Sequence, residues 1–223
     1  MPPAASSVGL AAILLLGVFA TSAGGQGVSR DTTTTRDVRC SDCLNVTPLT
    51  LPEKADRYVD QTFSPRAVLS ASVAAAIAQV RHTPQEWGSG LSGYGRRDAA
   101  AYGGSLVTHT TEFGIGALLG EDPRFEPSAR TGLFPRTADA LYHAAFVRTD
   151  DGGRQLAVSR IFAAFATGFA VNSWEPRRLH STHHAVMLSL GALLGYGTAG
   201  INREFSPDVK RYLFRKLHIH ARM

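Results

Sequence analysis

The sequence predicts an all-α fold, a single bundle of about five to six helices with glycine-rich, closely packed faces. Apolar residues recur with helical spacing in several long stretches, and little of the chain alternates as a strand does. The segment GALLG occurs twice, at residues 116–120 and 191–195. Each copy puts two glycines four positions apart on one helix face, where they allow neighbouring backbones to approach closely.

The N-terminus reads as a secretory signal peptide. The first 23 residues carry no ionisable side chain, and residues 8–20 form an apolar block that small residues follow. This pattern is typical of a signal peptide over residues 1–23 that is removed on export. The alternative is an uncleaved anchor, although the block is short for a membrane span. We therefore expect an exported protein of the periplasm or cell envelope.

Residues 24–62 are expected to form a mostly disordered or extended tail. The stretch SRDTTTTRD is polar and of low complexity, and Pro48 and Pro52 argue against a long element before residue 60. Cys40 and Cys43 have C-x-x-C spacing, which in an exported protein favours a local disulfide over a redox pair. Two thiols alone cannot complete a zinc site.

A helical domain is expected over residues 63–217, followed by a C-terminal tail at 218–223. Its first helix begins at Ser64 and Pro65, which have the residue types of an N-cap and a first-turn proline. Turn signals separate the later segments. The expected helices cover residues 66–80, 98–120, 135–148, 154–174 and 182–204, with a sixth from Ser206 to the C-terminus.

The uncharged segment 185–201 is interpreted as a buried core helix. It is about 17 residues long, whereas spanning a bilayer takes about 20 mostly apolar residues. The last helix is amphipathic and basic, so it either closes the bundle or lies on an anionic membrane.

A buried polar cluster is expected around Arg160, which lies within an otherwise apolar helix. A buried guanidinium needs carboxylate partners, and Glu112 and Glu204 are the candidates. His109 and Glu112 are three residues apart and share a helix face. We interpret this cluster as structural rather than catalytic.

An enzyme is the competing interpretation. Its acid/base groups would come from His109, Glu112, Glu121, Asp122 and Arg124. Glu121 and Asp122 stand at a helix C-terminus, where Arg124 compensates their negative charge, so a structural helix stop explains this segment as well.

Two further histidine patterns are present. Asp139 and His143 are four residues apart, so the carboxylate either orients the imidazole or forms an exposed pair with it. His180, His183 and His184 have spacing compatible with a metal, but no acidic residue or cysteine lies nearby in sequence. We predict no metal and no cofactor.

Charge and composition restrict the partners. The 223-residue chain carries a net charge of +5, and its arginines are scattered without a nucleic-acid-binding motif. We therefore expect no nucleic acid and favour a membrane surface or an envelope protein as the partner. The oligomeric state is not indicated by the sequence.

Four phrases support a family resemblance: EWGSGLSGYGRR (residues 86–97), EFGIGALLGEDPRF (112–125), DGGRQLAVSRI (151–161) and REFSPDVKR (203–211). They resemble an uncharacterised family of exported bacterial proteins over roughly residues 63–216. No activity, cofactor or catalytic residue is known for that family. The resemblance therefore implies an exported bacterial domain of about this length and nothing about chemistry.

Together these observations favour a structural or interaction bundle, one that associates with a membrane. The alternatives are a periplasmic enzyme and a helical protein that binds a lipid or another small ligand. A water-accessible polar cleft would favour the enzyme, and a mostly apolar cleft would favour the ligand-binding protein.

Overall fold

Six α-helices and one small hairpin form the fold in a computed structural model, which describes residues 48–220 and the side chains of residues 48–216. The helical bundle confirms the all-α prediction. The predicted signal peptide and Cys40 and Cys43 lie outside the described residues. The helices are α1 (Leu51–Phe63), α2 (Pro65–Val80), α3 (Leu91–Leu118), α4 (Leu133–Ala145), α5 (Val158–Trp174) and α6 (Thr182–His220). Strands β1 (Phe146–Arg148) and β2 (Arg154–Leu156) pair antiparallel.

Four helices pack side by side in the order α2, α3, α5, α6, while α1 packs on α3 and α4 packs on α6. Helices α3 and α5 run in opposite directions, since Gly104 faces Val171 and Gly116 faces Ser159. The bundle therefore has two ends, one at the start of α5 and the other at its C-terminus.

Close helix packing depends on glycines, but not on all of those that the repeated segment indicates. A Cβ at Gly168 would lie 2.2 Å from Ser189 Oγ and 2.7 Å from the Ala185 carbonyl oxygen, so α5 and α6 meet backbone to backbone there. Gly191 and Gly195 face open space instead. The close-packing prediction is therefore wrong for the second GALLG segment.

Helix α1 corrects the predicted tail, because residues 51–62 are helical. The Thr50 N–H donates to Glu53 Oε2 at 2.8 Å, and Pro52 occupies the first turn, where its missing N–H costs no hydrogen bond. Lys54 is buried and reaches Asp150 Oδ2 at 2.6 Å. Pro52 thus favours the start of this helix rather than preventing it, and Pro48 lies before the N-cap. The predicted start of α2 is confirmed, since Ser64 Oγ accepts from the Ala67 N–H.

Helix α3 begins at Leu91, before the predicted start at residue 98. Arg97 is buried and donates to the carbonyl oxygens of Thr83 (2.8 Å) and Pro84 (2.6 Å), as well as to Gly88 and Gln79. These bonds hold the preceding loop against the first turns of α3 and allow the helix to extend through its glycines.

Helix α6 is continuous where two helices were predicted. Pro207 lies inside it and has no N–H to donate to the carbonyl of Arg203. The Ser206 hydroxyl donates to that carbonyl at 3.3 Å. The helix therefore passes the proline with the freed acceptor still satisfied.

The hairpin shortens two predicted helices, since α4 ends at Ala145 and α5 begins at Val158. The Thr149 N–H donates to the Gly153 carbonyl, and Gly152 has a φ of +85°. Strands of three residues are too short for an alternating pattern to be detected in the sequence.

The interpretation of the uncharged segment of α6 as a buried core helix is wrong. Only 17% of the residues in the most apolar window of Thr182–Lys216 are buried. That helix is long and apolar enough to cross a membrane, as is the bent pair of α1 and α2 if the two are counted as one span.

The contact at Gly168 generates a prediction about stability. Gly168→Ala is expected to lower the free energy of unfolding by about 1–3 kcal/mol, because its methyl group meets backbone atoms of α6. Gly191→Ala, where nothing lies within 4 Å, is expected to raise stability by up to about 1 kcal/mol. Thermal unfolding followed by circular dichroism measures both. Equal behaviour of the two variants would contradict the packing described for α5 and α6.

Candidate functional site

The candidate site is an open cavity of about 300 Å³ at the end of the bundle where α5 begins. Helices α2, α3, α5 and α6 all contribute to its wall, and the C-terminal part of α4 closes one side. Its polar side chains come from residues that are far apart in sequence and include Asp60, Arg66, His109, Glu112, Arg160, Tyr196 and Arg203.

The structure brings Arg160 and Glu112 together. Arg160 Nε lies 3.5 Å from Glu112 Oε1, and both side chains are largely buried. Arg160 Nη1 donates to the carbonyls of His143 (2.7 Å) and Ala144 (2.9 Å) at the C-terminus of α4. The guanidinium therefore has a carboxylate on one side and the negative end of a helix dipole on the other.

Helix α6 supplies two residues that sequence reasoning missed. The Tyr196 hydroxyl donates to Glu112 Oε2 at 3.1 Å, and the Arg160 guanidinium lies 5.8 Å from the centre of the Tyr196 ring. Arg203 follows seven residues later on the same helix face. That spacing within an otherwise apolar helix was the available signal for this pair.

His109 lies in the cavity wall beside Glu112, as their spacing on one helix face predicts. Its Nδ1 is 3.4 Å from the hydroxyl of the buried Thr62, the last but one residue of α1. Helix α1, part of the predicted tail, therefore contributes to the surroundings of the site.

Glu204 is not a partner of Arg160. It is buried, but its Oε1 lies 2.8 Å from Arg136 Nε and its Oε2 accepts from the Ser128 N–H at 3.0 Å. One step along α6 turns the side chain about 100° away from that of Arg203, so Glu204 faces α4 instead of the cavity. The prediction of Glu204 as a member of the cluster is wrong.

Glu121 has a structural task between two helices. Its N–H donates to the Gly116 carbonyl at 2.8 Å and closes the end of α3, where Gly120 has a φ of +63°. Its carboxylate accepts from the N–H of Ser159 at 3.2 Å and from the hydroxyl of the same residue. The buried carboxylate thereby caps the start of α5.

Asp122 and Arg124 form the helix-stop pair that their spacing indicates. Arg124 donates through its backbone N–H and its guanidinium to the buried Asp122 carboxylate. Burial raises the pKa of Asp122, but the hydrogen bonds and charge of Arg124 outweigh it and leave the pKa below its ordinary value. The five residues of the enzyme interpretation thus fall into two groups. His109 and Glu112 line the cavity, whereas Glu121, Asp122 and Arg124 are held in the structural contacts above.

His143 takes Arg154 and Glu126 as neighbours rather than Asp139. Arg154 Nη1 donates to His143 Nδ1 at 3.0 Å, and Glu126 Oε2 lies 3.6 Å from that nitrogen. Asp139 accepts from Ser128 Oγ at 2.7 Å. Burial lowers the pKa of His143, and the positive charge of Arg154 lowers it further, against an opposing effect of Glu126.

The histidines at the start of α6 do not meet as a group of metal ligands. His184 Nε2 lies 2.6 Å from Glu175 Oε2, and His180 Nε2 lies 2.6 Å from the Glu175 backbone carbonyl. Over residues 48–216, no group of three or more histidine, cysteine, aspartate or glutamate side chains has an arrangement that could hold a metal ion.

Comparison with known proteins adds no family to this geometry. No family model, curated protein or solved structure matches the chain.

The Arg160 contacts generate a prediction about stability. Arg160→Leu is expected to lower the free energy of unfolding by about 3 kcal/mol, because Glu112 and the last carbonyls of α4 lose their partner. Arg215→Leu, at an exposed position in α6, is the matched control and is expected to change stability by less than about 0.5 kcal/mol. Thermal unfolding of both variants tests this. An unchanged Arg160→Leu protein would show that the cluster contributes nothing to the fold.

The pKa of His143 generates a pH prediction. Because folding lowers this pKa, the unfolded chain binds the proton more readily than the folded chain. The contribution of neutral His143 to stability is therefore complete above its ordinary pKa of 6.5 and decreases as the pH falls below it. His143→Gln is expected to reduce the loss of melting temperature between pH 7.5 and 5.5, with His82→Gln as the control. An unchanged pH profile in His143→Gln would contradict this assignment.

Proposed function

We propose that this chain is a membrane-embedded helical bundle of the bacterial cell envelope, with a structural or interaction role. The observation that carries the proposal is the distribution of side chains by size. Small residues fill the interior and large apolar residues cover the exterior, the reverse of the usual arrangement in water.

The buried hydrophobic residues are almost entirely alanine. Apart from Val147, every buried hydrophobic residue among the described ones is an alanine, and the most deeply buried larger side chains are Thr62 and Ser189. Such a core gains little from removing apolar surface from water, since the benefit scales with the area buried. Small residues that allow backbones to approach closely are the usual solution for helices packed within lipid.

Large apolar side chains point outward from several helices. An interface with one protein partner would need such residues on one face, whereas lipid contacts an inserted bundle on many sides. The exposed set includes Val68 and Leu69 of α2, Phe162, Phe165 and Phe169 of α5, and Met187, Leu190 and Leu194 of α6.

These residues belong to an uncharged belt, which we define as residues 67–80 of α2, 99–108 of α3, 161–174 of α5 and 185–202 of α6. Fourteen residues of helix, as in α2 and α5, cover about 21 Å along the axis. The hydrocarbon core of a bilayer is about 30 Å thick, so the belt would insert with local thinning or with flanking side chains reaching the headgroups.

Both ends of the belt carry residues suited to a membrane interface. The cavity with its arginines lies at one end. At the other end, both tryptophans of the chain, Trp87 and Trp174, line one pocket together with Arg96. Tryptophan and arginine are favoured at the level of the lipid headgroups.

The expected signal peptide and the resemblance to exported bacterial proteins support the envelope as the location. The basic C-terminal part of α6 has exposed Tyr212, Leu213 and Phe214 near Lys210 and Arg211, which is compatible with contact to an anionic membrane surface. The proposal therefore combines insertion through the belt with surface contact by the end of α6.

Membrane fractionation tests the proposal. The chain produced in a bacterial host is expected to sediment with membranes, to resist high salt and alkaline carbonate, and to require detergent for release. Release by salt alone would restrict the contact to the basic helix. A protein that stays in solution as a dimer or larger oligomer would indicate that other copies cover the belt, and would overturn the proposal.

A pair of matched variants sharpens the test. Leu194→Arg places a charge in the belt, where the side chain is 73% exposed, and is expected to cost about 2.5–3.5 kcal/mol of insertion energy. Leu133→Arg is the control, because Leu133 is 65% exposed but lies at the start of α4, outside the belt. In a vesicle flotation assay, Leu194→Arg is expected not to float with the vesicles, whereas Leu133→Arg is expected to float with them as the wild type does.

A further inference from the structure

We propose that the cavity binds a phosphoryl group, supplied either by a phospholipid headgroup or by free phosphate. The lipid source rests on the membrane location proposed above, whereas the binding chemistry depends only on the cavity. Four properties of the cavity support phosphoryl binding: its charge, its free hydrogen-bond donors, its volume and its position in the bundle.

The charge around the cavity is unbalanced. Arg160 pairs with the carboxylate of Glu112, and Arg203 interacts with the same carboxylate electrostatically, so this group of three has a net charge of +1. Elsewhere along the wall, the positive charge of Arg66 and the negative charge of Asp60 cancel in the total. A partly enclosed site with an excess of guanidinium groups is stabilised when an anion enters it.

The donors of Arg203 are available. Its guanidinium donates no hydrogen bond to another described residue and forms no ion pair with one within 4 Å. Glu112, the carboxylate it faces, is already occupied by Arg160 and by the Tyr196 hydroxyl. A guanidinium presents paired N–H groups that match two oxygens of a phosphoryl group.

The size of the cavity also fits. Its volume of about 300 Å³ is at the lower end of the range for small-molecule sites. This volume exceeds the space that one ion needs. Its remaining wall consists partly of small residues, namely Ala67, Ala140, Ala144 and Gly200. A phosphoryl group with part of its substituent can therefore be accommodated beside the arginines.

The cavity lies where the uncharged belt ends in four helices. Arg66 directly precedes the belt in α2, His109 follows it in α3, Arg160 precedes it in α5 and Arg203 follows it in α6. All four of these residues line the same cavity. In a bilayer that thins around the belt, this boundary is the part of the bundle nearest to the headgroups, so the donors lie on the side from which lipid phosphates approach.

Binding is tested on the full chain purified in a nonionic detergent. The probes are inorganic phosphate, dioleoyl phosphatidic acid and, as a lipid without net charge, dioleoyl phosphatidylcholine. Native mass spectrometry counts the lipid molecules retained, and the shift in melting temperature gives the dissociation constant for each probe. We expect saturable binding of one equivalent of phosphatidic acid, of phosphate, or of both.

Three variants make the test specific. Arg203→Gln is expected to weaken binding about tenfold or more, because it removes a charged bidentate donor. Arg215→Gln, at an exposed position on the same helix, is expected to bind as the wild type does. Glu112→Gln is expected to strengthen binding several-fold, because it removes the negative charge that competes with the anion. This opposite sign keeps the test decisive if Arg203→Gln fails to fold.

Each outcome decides the source or overturns the proposal. Binding of phosphatidic acid that depends on Arg203 supports the headgroup, and Arg203-dependent binding of phosphate alone supports a free anion. Absence of saturable binding by both probes, or equal affinities for Arg203→Gln and Arg215→Gln, overturns the proposal. Membrane flotation is measured separately on the wild type, so a failure of the membrane location remains distinguishable from a failure of the cavity ligand.

Discussion

The close approach of α5 and α6 at Gly168 is the constraint on which the rest of the bundle depends. Because Ser189 and the backbone of α6 occupy the space a Cβ would need, the two helices meet without large side chains between them. Gly104 makes a less close contact between α3 and α5, where the side-chain atom Val171 Cγ2 lies 3.3 Å from the position of a Cβ. The phenylalanines and leucines of these helices then have only the exterior available, and from this follow the small-residue interior and the apolar belt.

Charged groups lie at the ends of the belt and not within it. Arg160 lies in the first turn of α5, close to the carbonyls that end α4, so its charge is satisfied by an element outside the belt. Glu112 joins that guanidinium to Tyr196 and places a tyrosine of α6 in the same network. The network thus links α3, α4, α5 and α6 at one level, and the same placement leaves Arg203 facing the cavity.

The helical fold and the pairing of Arg160 with a carboxylate were accessible from the sequence, because helical periodicity and a lone charge in an apolar stretch are local signals. The residue that α6 contributes to the cavity could not be predicted in this way. Sequence spacing does not tell which of two consecutive residues, Arg203 or Glu204, lines the cavity and which pairs with Arg136 of α4. The continuity of α6 past Pro207 is supported by one serine hydroxyl, and the helix of residues 51–63 begins with a capping interaction and a first-turn proline. Which apolar faces point outward depends on the order in which the helices pack, and the sequence of a single helix does not specify that order.

Glu121 joins the end of α3 to the beginning of α5 through residues 38 apart along the chain. Everything between them, α4 and the hairpin included, forms a loop whose two ends already touch. The segment is held a second time along α4, where Arg160 donates to the carbonyls of His143 and Ala144 and Arg136 pairs with Glu204. It is therefore fastened both at its base and along its length, so a replacement segment would have to supply these contacts as well as span the closed ends.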